Sequence, residues 1–269
     1  MSKTLGDDAF LTAYETLCWA DEAIKELSKE SARYLNQARS SIHRDADSVD
    51  ELHKLTLPSH IPAVIRRKLM EALGLIKNSF DQSVVAAIRA VRGDAATKGT
   101  VYFPWADSPT DLDHRLGAAK RSGRTVSNCP KIPPDLWPVL RSFEPYRTGN
   151  SYPGGNDLVR EMAHIANRKH TVRLLLLPSV AGGVINVNRM TLSGPGFFGN
   201  FSWDPVKNEL IFGRLPRDSE CDYNAHIALH IAFDEPGFLL QKPIIYSLHM
   251  FAAKAKEVAD TLSLESTRY

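Results

Sequence analysis

Apolar residues recur at helical spacing in two long stretches near the start of the chain. The first stretch covers residues 7–37, with apolar positions at Phe10, Tyr14, Leu17, Ile24, Leu27 and Leu35. The second begins near Ile61 and ends near Gly93, with apolar positions at Ile65, Leu69, Leu73, Ile76, Phe80, Val84, Ile88 and Val91. Apolar residues one turn apart share a helix face, so the pattern predicts two long amphipathic helices. Residues 40–58, between them, favour either a small hairpin or an irregular loop.

The pattern changes at Thr171, where short apolar runs alternate with turn residues. Five β-like runs follow, separated by Gly, Pro, Asn and Asp: VRLLLLPSV, GVINVNRMTLSG, GFFGNFSW, NELIFGRL and YNAHIALHIAFDE. FSWDPVKNELIF is typical of a hairpin, and residues 241–263 favour a closing helix. Helices first and strands second predict an α+β protein with an antiparallel sheet. We therefore divide the chain into a helical part, 1–170, with a small hairpin and loop insertions, and a sheet with a C-terminal helix, 171–269, packed as one globular unit.

Composition sets broad limits on the class of protein. Of the 269 residues, 43% are hydrophobic and 24% are charged, as in ordinary soluble domains. A net charge of +2 does not predict a broad nucleic-acid surface, so such a site would have to be a local patch. Cys18, Cys129 and Cys221 are too few and too far apart for a disulfide framework or zinc ribbon. The acidic N-terminus and the absence of a long apolar run favour a cytoplasmic protein without a membrane anchor.

A charged pair lies at the edge of the second apolar stripe. Lys77 and Asp81 are four residues apart, so they can form an ion pair on one helix face. Charges beside a core are costly unless they have partners. The alternative is a lysine that extends to solvent beside a solvated aspartate.

A second basic pair ends the helix that Asn156 can cap. Leu158, Met162 and Ile165 form its inward face, which Lys169 continues, and His170 continues the parallel row Val159, Ala163 and Ala166. If this helix packs on the second long helix, Asp81 is the acceptor for Lys169 or His170, and it would raise the pKa of the imidazole. Alternatively, the two cations satisfy the carbonyls and dipole of the helix C-terminus.

Three weaker patterns suggest other chemistry. His226 and His230 are four apart on one strand face, which suits part of a zinc site, although no third ligand has the right spacing and solvent exposure is the alternative. Lys120, Arg121 and Arg124 form either a phosphate-binding loop or a solvated surface loop. Tyr102, Phe103 and Trp105 could stack on bases, but the neighbouring prolines favour packing.

Four segments in order resemble a bacterial family related to the HEPN (higher eukaryote and prokaryote nucleotide-binding) domains. They are GLIKNSFDQSV from Gly74, TVYFPWADSP, RSFEPY from Arg141, and ANRKHTVRLLL. The resemblance covers about 60–180 and implies an antiparallel helical bundle. It also implies RNA or nucleotide binding and a homodimer across the long helices, with no cofactor.

In HEPN ribonucleases an Arg and a His on one helix hold the phosphate and act as general base, without a metal. The resemblance places Lys77 at the position of the catalytic Arg and Gln82 at that of the catalytic His, with Asp81 directly before Gln82. The family has a second motif, DKHR, at the end of a later helix. Lys169 and His170 match its Lys and His, whereas Arg168 and Thr171 replace its Asp and Arg. Glutamine cannot take a proton, so we expect a degenerate, non-catalytic module that binds RNA, nucleotide or a protein partner. The contact of Asp81 with Lys169 and His170 would then be a conformational lock. One alternative is an active metal-independent endoribonuclease using Lys77 and His170. Another is a metal-dependent enzyme at His226 and His230.

Overall fold

The computed structural model describes most of the chain, namely residues 5–44, 49–57, 60–93, 101–117, 132–168, 175–234 and 239–269. In these ranges the helices are α1 (Leu5–Leu35), α2 (Ala63–Arg92), α3 (Pro109–Leu116), α4 (Trp137–Ser142), α5 (Asp157–Arg168) and α6 (Ile244–Ser266). The strands are β1 (Arg39–Arg44), β2 (Asp50–Thr56), β3 (Leu176–Thr191), β4 (Phe197–Asp204), β5 (Glu209–Pro216) and β6 (Glu220–Phe233). All the described strand pairs are antiparallel, which confirms the α+β class.

The chain divides into two compact units. The helical unit comprises Met1–Glu26, Arg67–Leu174 and Ile245–Tyr269, and the sheet unit comprises Leu27–Arg66 and Leu175–Ile244. Each unit is therefore discontinuous in sequence, and α1 and α2 contribute residues to both. The sheet unit includes the N-terminal hairpin, and α6 from Ile245 onward belongs to the helical unit. The division into 1–170 and 171–269 stays a prediction.

The helical unit is organised by the predicted apolar stripes. On α2 the stripe residues from Leu69 to Ile88 are fully buried. Gly93, with φ of 76°, follows the helix in the left-handed conformation, which is common after a helix C-terminus. The Tyr14 hydroxyl on α1 donates to Asp260 Oδ1 on α6 at 2.9 Å. On α5 both predicted rows are buried between Val159 and Ala166, and Asn156 Oδ1 accepts from the Val159 amide at 3.1 Å, as expected of its cap.

The sheet unit contains a four-stranded sheet and a two-stranded ribbon. The sheet has the order β1-β2-β5-β4, so the N-terminal hairpin β1–β2 extends the hairpin β4–β5. Lys54 on β2 and Glu209 on β5 form a largely buried ion pair at 3.1 Å across this junction. The ribbon is β3–β6, paired from Leu176↔Phe233 to Thr191↔Glu220.

The ribbon packs on the sheet through its inward side chains. A Cβ on Gly183 of β3 would lie 2.8 Å from the ring of Phe201 on β4, which shows how closely these strands approach. Exposure alternates along β6, so Tyr223, Ala225 and Ile227 point to the sheet and the residues between them to solvent. Among the described helices, none has an apolar stretch sufficient to cross a membrane.

Candidate functional site

Lys77 and Asp81 form the predicted ion pair one turn apart on α2. Lys77 Nζ lies 3.1 Å from Asp81 Oδ2, and the side chains are only 18% and 15% exposed. The other carboxylate oxygen, Oδ1, accepts the backbone N–H of Phe103 at 2.8 Å. Asp81 therefore connects the segment 101–106 to α2 through one oxygen and holds Lys77 with the other.

Aromatic residues adjoin this pair. Phe103 and Trp105 are buried, with ring centroids 5.0 and 4.9 Å from that of Phe80. Tyr102 is 46% exposed, and Lys77 Nζ lies 5.5 Å from its ring centroid, within the range of a cation–π contact. Phe103 and Trp105 are therefore core residues, as the neighbouring prolines indicated. The ring of Tyr102 is the one of the three that is exposed to solvent.

The electrostatics of Asp81 are those of a buried acceptor. Burial raises the pKa of its carboxyl group, and Lys77 and the Phe103 amide oppose that shift without cancelling it. Both oxygens have a partner, so a substrate proton would have to compete with an existing hydrogen bond at either one. The contacts of Asp81 therefore favour a structural role, holding the segment 101–106 against α2, over a role as general base.

Gln82 follows Asp81 on α2, and its Oε1 is buried without a hydrogen-bond partner among the described residues. An amide cannot accept a catalytic proton, so this position supplies no base. The other site residues inferred from the sequence lie outside the described residues: Lys120, Arg121, Arg124, Lys169 and His170. Pairing of Asp81 with Lys169 or His170 accordingly stays a prediction.

His226 and His230 are separated by their surroundings. His226 is exposed on the outward face of β6, whereas His230 is half-buried and burial lowers its pKa. Over the described ranges, no group of three or more His, Cys, Asp or Glu side chains could hold a metal ion. The described residues thus offer no ligand set for the zinc alternative.

A buried histidine that the sequence did not single out lies in the sheet unit. His53 on β2 is only 2% exposed, and its Nδ1 lies 2.7 Å from the hydroxyl of Tyr223 on β6. Its ring contacts those of Phe198, Phe212 and Tyr223 at centroid distances of 5.5, 6.3 and 5.2 Å. Burial lowers the pKa of His53, which the Glu51 carboxylate partly offsets, so the imidazole is held neutral.

Gly213 makes this aromatic contact geometrically feasible. It lies between His53 and Phe198 in the register of three adjacent strands, β2, β5 and β4. A Cβ there would come within 2.5 Å of the Phe198 ring and 3.3 Å of the His53 Cβ. The absence of a side chain at 213 therefore lets the two rings meet above the strand.

The hydrogen bonding of His53 indicates its tautomer. Its Nε2 is buried and has no partner among the described residues. A neutral imidazole has one N–H, and an unpaired buried donor is rarer than an unpaired acceptor. We assign the proton to Nδ1, which donates to Tyr223. The Tyr223 hydroxyl proton is then available to a further acceptor.

Tyr223 also lines a groove of about 760 Å³ in the sheet unit, here called the edge groove. One wall consists of six β6 residues between Tyr223 and Leu229, and the remainder comes from the end of α1, the residues after it, and single residues of β1, β2 and β5. The described residues that line it include no Lys, Arg, Asp or Glu. The groove can therefore accept a neutral ligand without leaving a charge unpaired.

Two signals in the sequence could have indicated this region. Strand alternation places Glu51 and His53 in one row with Leu55 and Leu57, so polar groups share a face with apolar ones. Gly213 interrupts an apolar strand, which often marks a close approach of neighbouring groups. The pairing of His53 with Tyr223, 170 residues later, has no local signal.

Comparisons of the chain with protein-family models, with curated proteins and with solved structures found no match.

Proposed function

We propose that the chain is a degenerate, non-catalytic module of HEPN-like type that binds a partner molecule. The observation that carries the proposal is that each oxygen of Asp81 already has a partner, Lys77 or the Phe103 amide, and that a glutamine stands where the resemblance implies a base. A ribonuclease of this type needs a proton acceptor and a cation free to hold phosphate. Here the lysine ammonium is engaged by a carboxylate and an aromatic ring.

A protein partner is the favoured ligand class among the three that the resemblance leaves open. The net charge of +2 does not predict a broad basic surface, and phosphate contacts supply a large share of the affinity of nucleic-acid-binding proteins. RNA or nucleotide binding would depend on the exposed Tyr102 and on the basic residues Lys120, Arg121 and Arg124. A homodimer across the long helices remains part of the proposal, and light scattering would test it.

The proposal is tested by incubating end-labelled single-stranded RNA with the full-length protein in EDTA. The wild type is compared with His170→Ala, and with His249→Ala as an exposed-histidine control on α6. We expect no cleavage by any of them, and a dissociation constant for RNA no tighter than about 100 μM at physiological salt.

Cleavage that leaves 2′,3′-cyclic phosphate ends and is lost in His170→Ala alone would overturn the proposal. The active ribonuclease using Lys77 and His170 would then be the correct function. Cleavage that persists in both variants would identify a contaminating nuclease, and a preparation from which it has been removed would be assayed again to decide the point.

A further inference from the structure

The edge groove follows a strand edge that no described strand occupies. β6 pairs with β3 along one side, and the ribbon contains only these two of the described strands. In an antiparallel pair, alternate residues direct their N–H and C=O groups away from the partner strand. At the C-terminal end of β6 this edge is already engaged, because the Phe233 N–H donates to Lys242 at 3.1 Å and Ala232 forms a bridge with Pro243. Along the groove, at residues 223–229, the outward edge of β6 presents a row of backbone donors and acceptors to which no described strand bonds.

The residues that line the groove show that it runs along this edge. Consecutive residues such as Tyr223, Asn224 and Ala225 all contribute, although their side chains alternate between the two faces of the strand. A cavity beside the strand touches both kinds of residue, whereas one above a face touches mainly the side chains of that face. Ser40 of β1, the edge strand of the four-stranded sheet, contributes to the remaining lining.

The dimensions of the groove match one additional strand. Within a two-layer β-structure a strand residue occupies roughly 160 Å³, from its rise, the strand spacing and the sheet spacing. A groove of about 760 Å³ thus has room for roughly five extended residues, but not for a second ribbon. The two-stranded layer covers a four-stranded one, which leaves this strand position unfilled among the described residues.

The composition of the β6 edge suits pairing with an uncharged strand. Exposed edges are commonly protected by Lys, Pro or inward charges. Residues 223–229, YNAHIAL, have no proline and no formal charge with neutral His226. Asn36, Ser40 and Asn224 supply neutral hydrogen-bonding side chains, and Tyr223 can donate its hydroxyl proton.

We propose that the edge groove binds an extended, uncharged peptide segment of a partner protein, which adds to the ribbon as a third strand beside β6. Backbone hydrogen bonds to the outward edge of β6 supply affinity, and the neutral lining selects residues without charge. This site shares no residue with the ion pair of Asp81 and Lys77, so an active ribonuclease in the helical unit would leave the proposal intact.

The test selects ligands from a phage-displayed library of random heptapeptides on the immobilised full-length protein. Counter-selection uses Ser40→Trp, which fills the groove from an exposed position on β1. The matched control is Ser41→Trp, because Ser41 is also exposed on β1 but does not line the groove. Both variants are first checked for an unchanged melting temperature and circular dichroism spectrum.

The best selected peptide is then synthesised and N-methylated at each backbone nitrogen in turn. We expect N-methylation to weaken binding about tenfold at alternate positions and less than about twofold at the positions between them, since only every second N–H faces β6. Ser40→Trp should weaken binding at least tenfold, and Ser41→Trp should leave it within about twofold.

Three outcomes would overturn the proposal. The first is that no peptide is enriched over the Ser40→Trp counter-selection. The second is binding without the two-residue period, which would mean that the groove holds side chains and adds no strand. The third is self-association in sedimentation that Ser40→Trp abolishes, which would make a second copy of this chain the occupant.

Discussion

Two groups of side chains each hold a buried polar residue near aromatic residues. The Asp81 cluster consists of Asp81, Lys77 and Phe103, and the His53 cluster consists of His53 and the rings of Tyr223, Phe198 and Phe212. Asp81 has a partner at each oxygen, the Lys77 ammonium and the Phe103 amide. His53 has one partner, Tyr223, and its Nε2 has none among the described residues. A buried group with a partner at each polar atom mainly fixes local structure. His53 has one nitrogen without a partner among the described residues, and its partner Tyr223 lines the edge groove, so this pair can contribute to binding through Tyr223.

The two clusters differ in what offsets the free-energy cost of burying an ionisable side chain. Burial destabilises the charged form of both side chains, so the pKa of Asp81 is raised and that of His53 is lowered. Asp81 has a cation to offset the cost, and His53 avoids the cost by staying neutral. Substitutions in the Asp81 cluster should therefore cost more folding stability than equivalent ones near His53.

Replacing Asp81 with alanine should produce the largest loss. The change leaves the Phe103 N–H and the Lys77 ammonium without their acceptor, and we expect unfolding to become easier by about 3 kcal/mol. Asp81→Asn keeps an acceptor oxygen for Phe103 and should cost about 1 kcal/mol. Urea denaturation of the three proteins gives both values. Equal losses in the two variants would mean that the Phe103 contact is unimportant.

The next largest effect is expected at Gly213. Gly213→Ala places a methyl group 2.5 Å from the Phe198 ring. Overpacking of this kind costs about 2 kcal/mol. Gly182→Ala on β3 is the matched control, because a Cβ there meets nothing within 4 Å, and its melting temperature should stay close to that of the wild type. A similar fall in both variants would point to glycine backbone effects rather than to contact with Phe198.

These clusters also show how far the sequence can predict the molecule. The long helices, the closing helix and the β4–β5 hairpin follow from local periodicity and turn residues, so their prediction was confirmed. The Lys77–Asp81 pair could also be predicted from local spacing, since both residues lie on one helix. The hydrogen bond from the Phe103 backbone N–H to Asp81 could not be predicted, because every residue except proline has such a group and the sequence does not show which one Asp81 accepts.

The strand pairing in the sheet unit could not be predicted from local patterns. The hairpin β1–β2 was one of two interpretations of residues 40–58, and its place beside β5 depends on pairing between strands far apart in the sequence. His53 meets Tyr223 through contacts that are equally non-local. Side-chain patterns identify strands, but they do not choose among the ways that strands can pair.

Tyr223→Phe should have a moderate effect. It removes the hydroxyl that His53 contacts and leaves the buried imidazole with no described partner at either nitrogen, for a loss of about 1 kcal/mol. The aromatic contacts with Phe198 and Phe212 are kept, so packing should change little. The control is Tyr246→Phe, an exposed tyrosine on α6, which should unfold at the same urea concentration as the wild type. No difference between the two variants would contradict the hydrogen bond.

The smallest effect should be a pH dependence that His53 contributes. Its folded-state pKa lies below the ordinary value of 6.5, so the unfolded chain takes up a proton first as the solution is acidified. Stability that is present above the ordinary pKa is then lost as pH falls toward the folded-state pKa, with a slope of at most about 1.4 kcal/mol per pH unit. The wild type should consequently lose more stability than His53→Asn between about pH 7.5 and about pH 5.5.

The comparison between these two proteins isolates His53 from other titrating groups. His230, whose pKa is also lowered, contributes in the same sense, and Asp81, whose pKa is raised, in the opposite one. Both groups are present in each protein, so their contributions cancel in the difference. Identical pH slopes would mean that His53 titrates alike in the folded and unfolded chain. Its buried, neutral state would then be incorrect, and so would the assignment of a free hydroxyl proton to Tyr223.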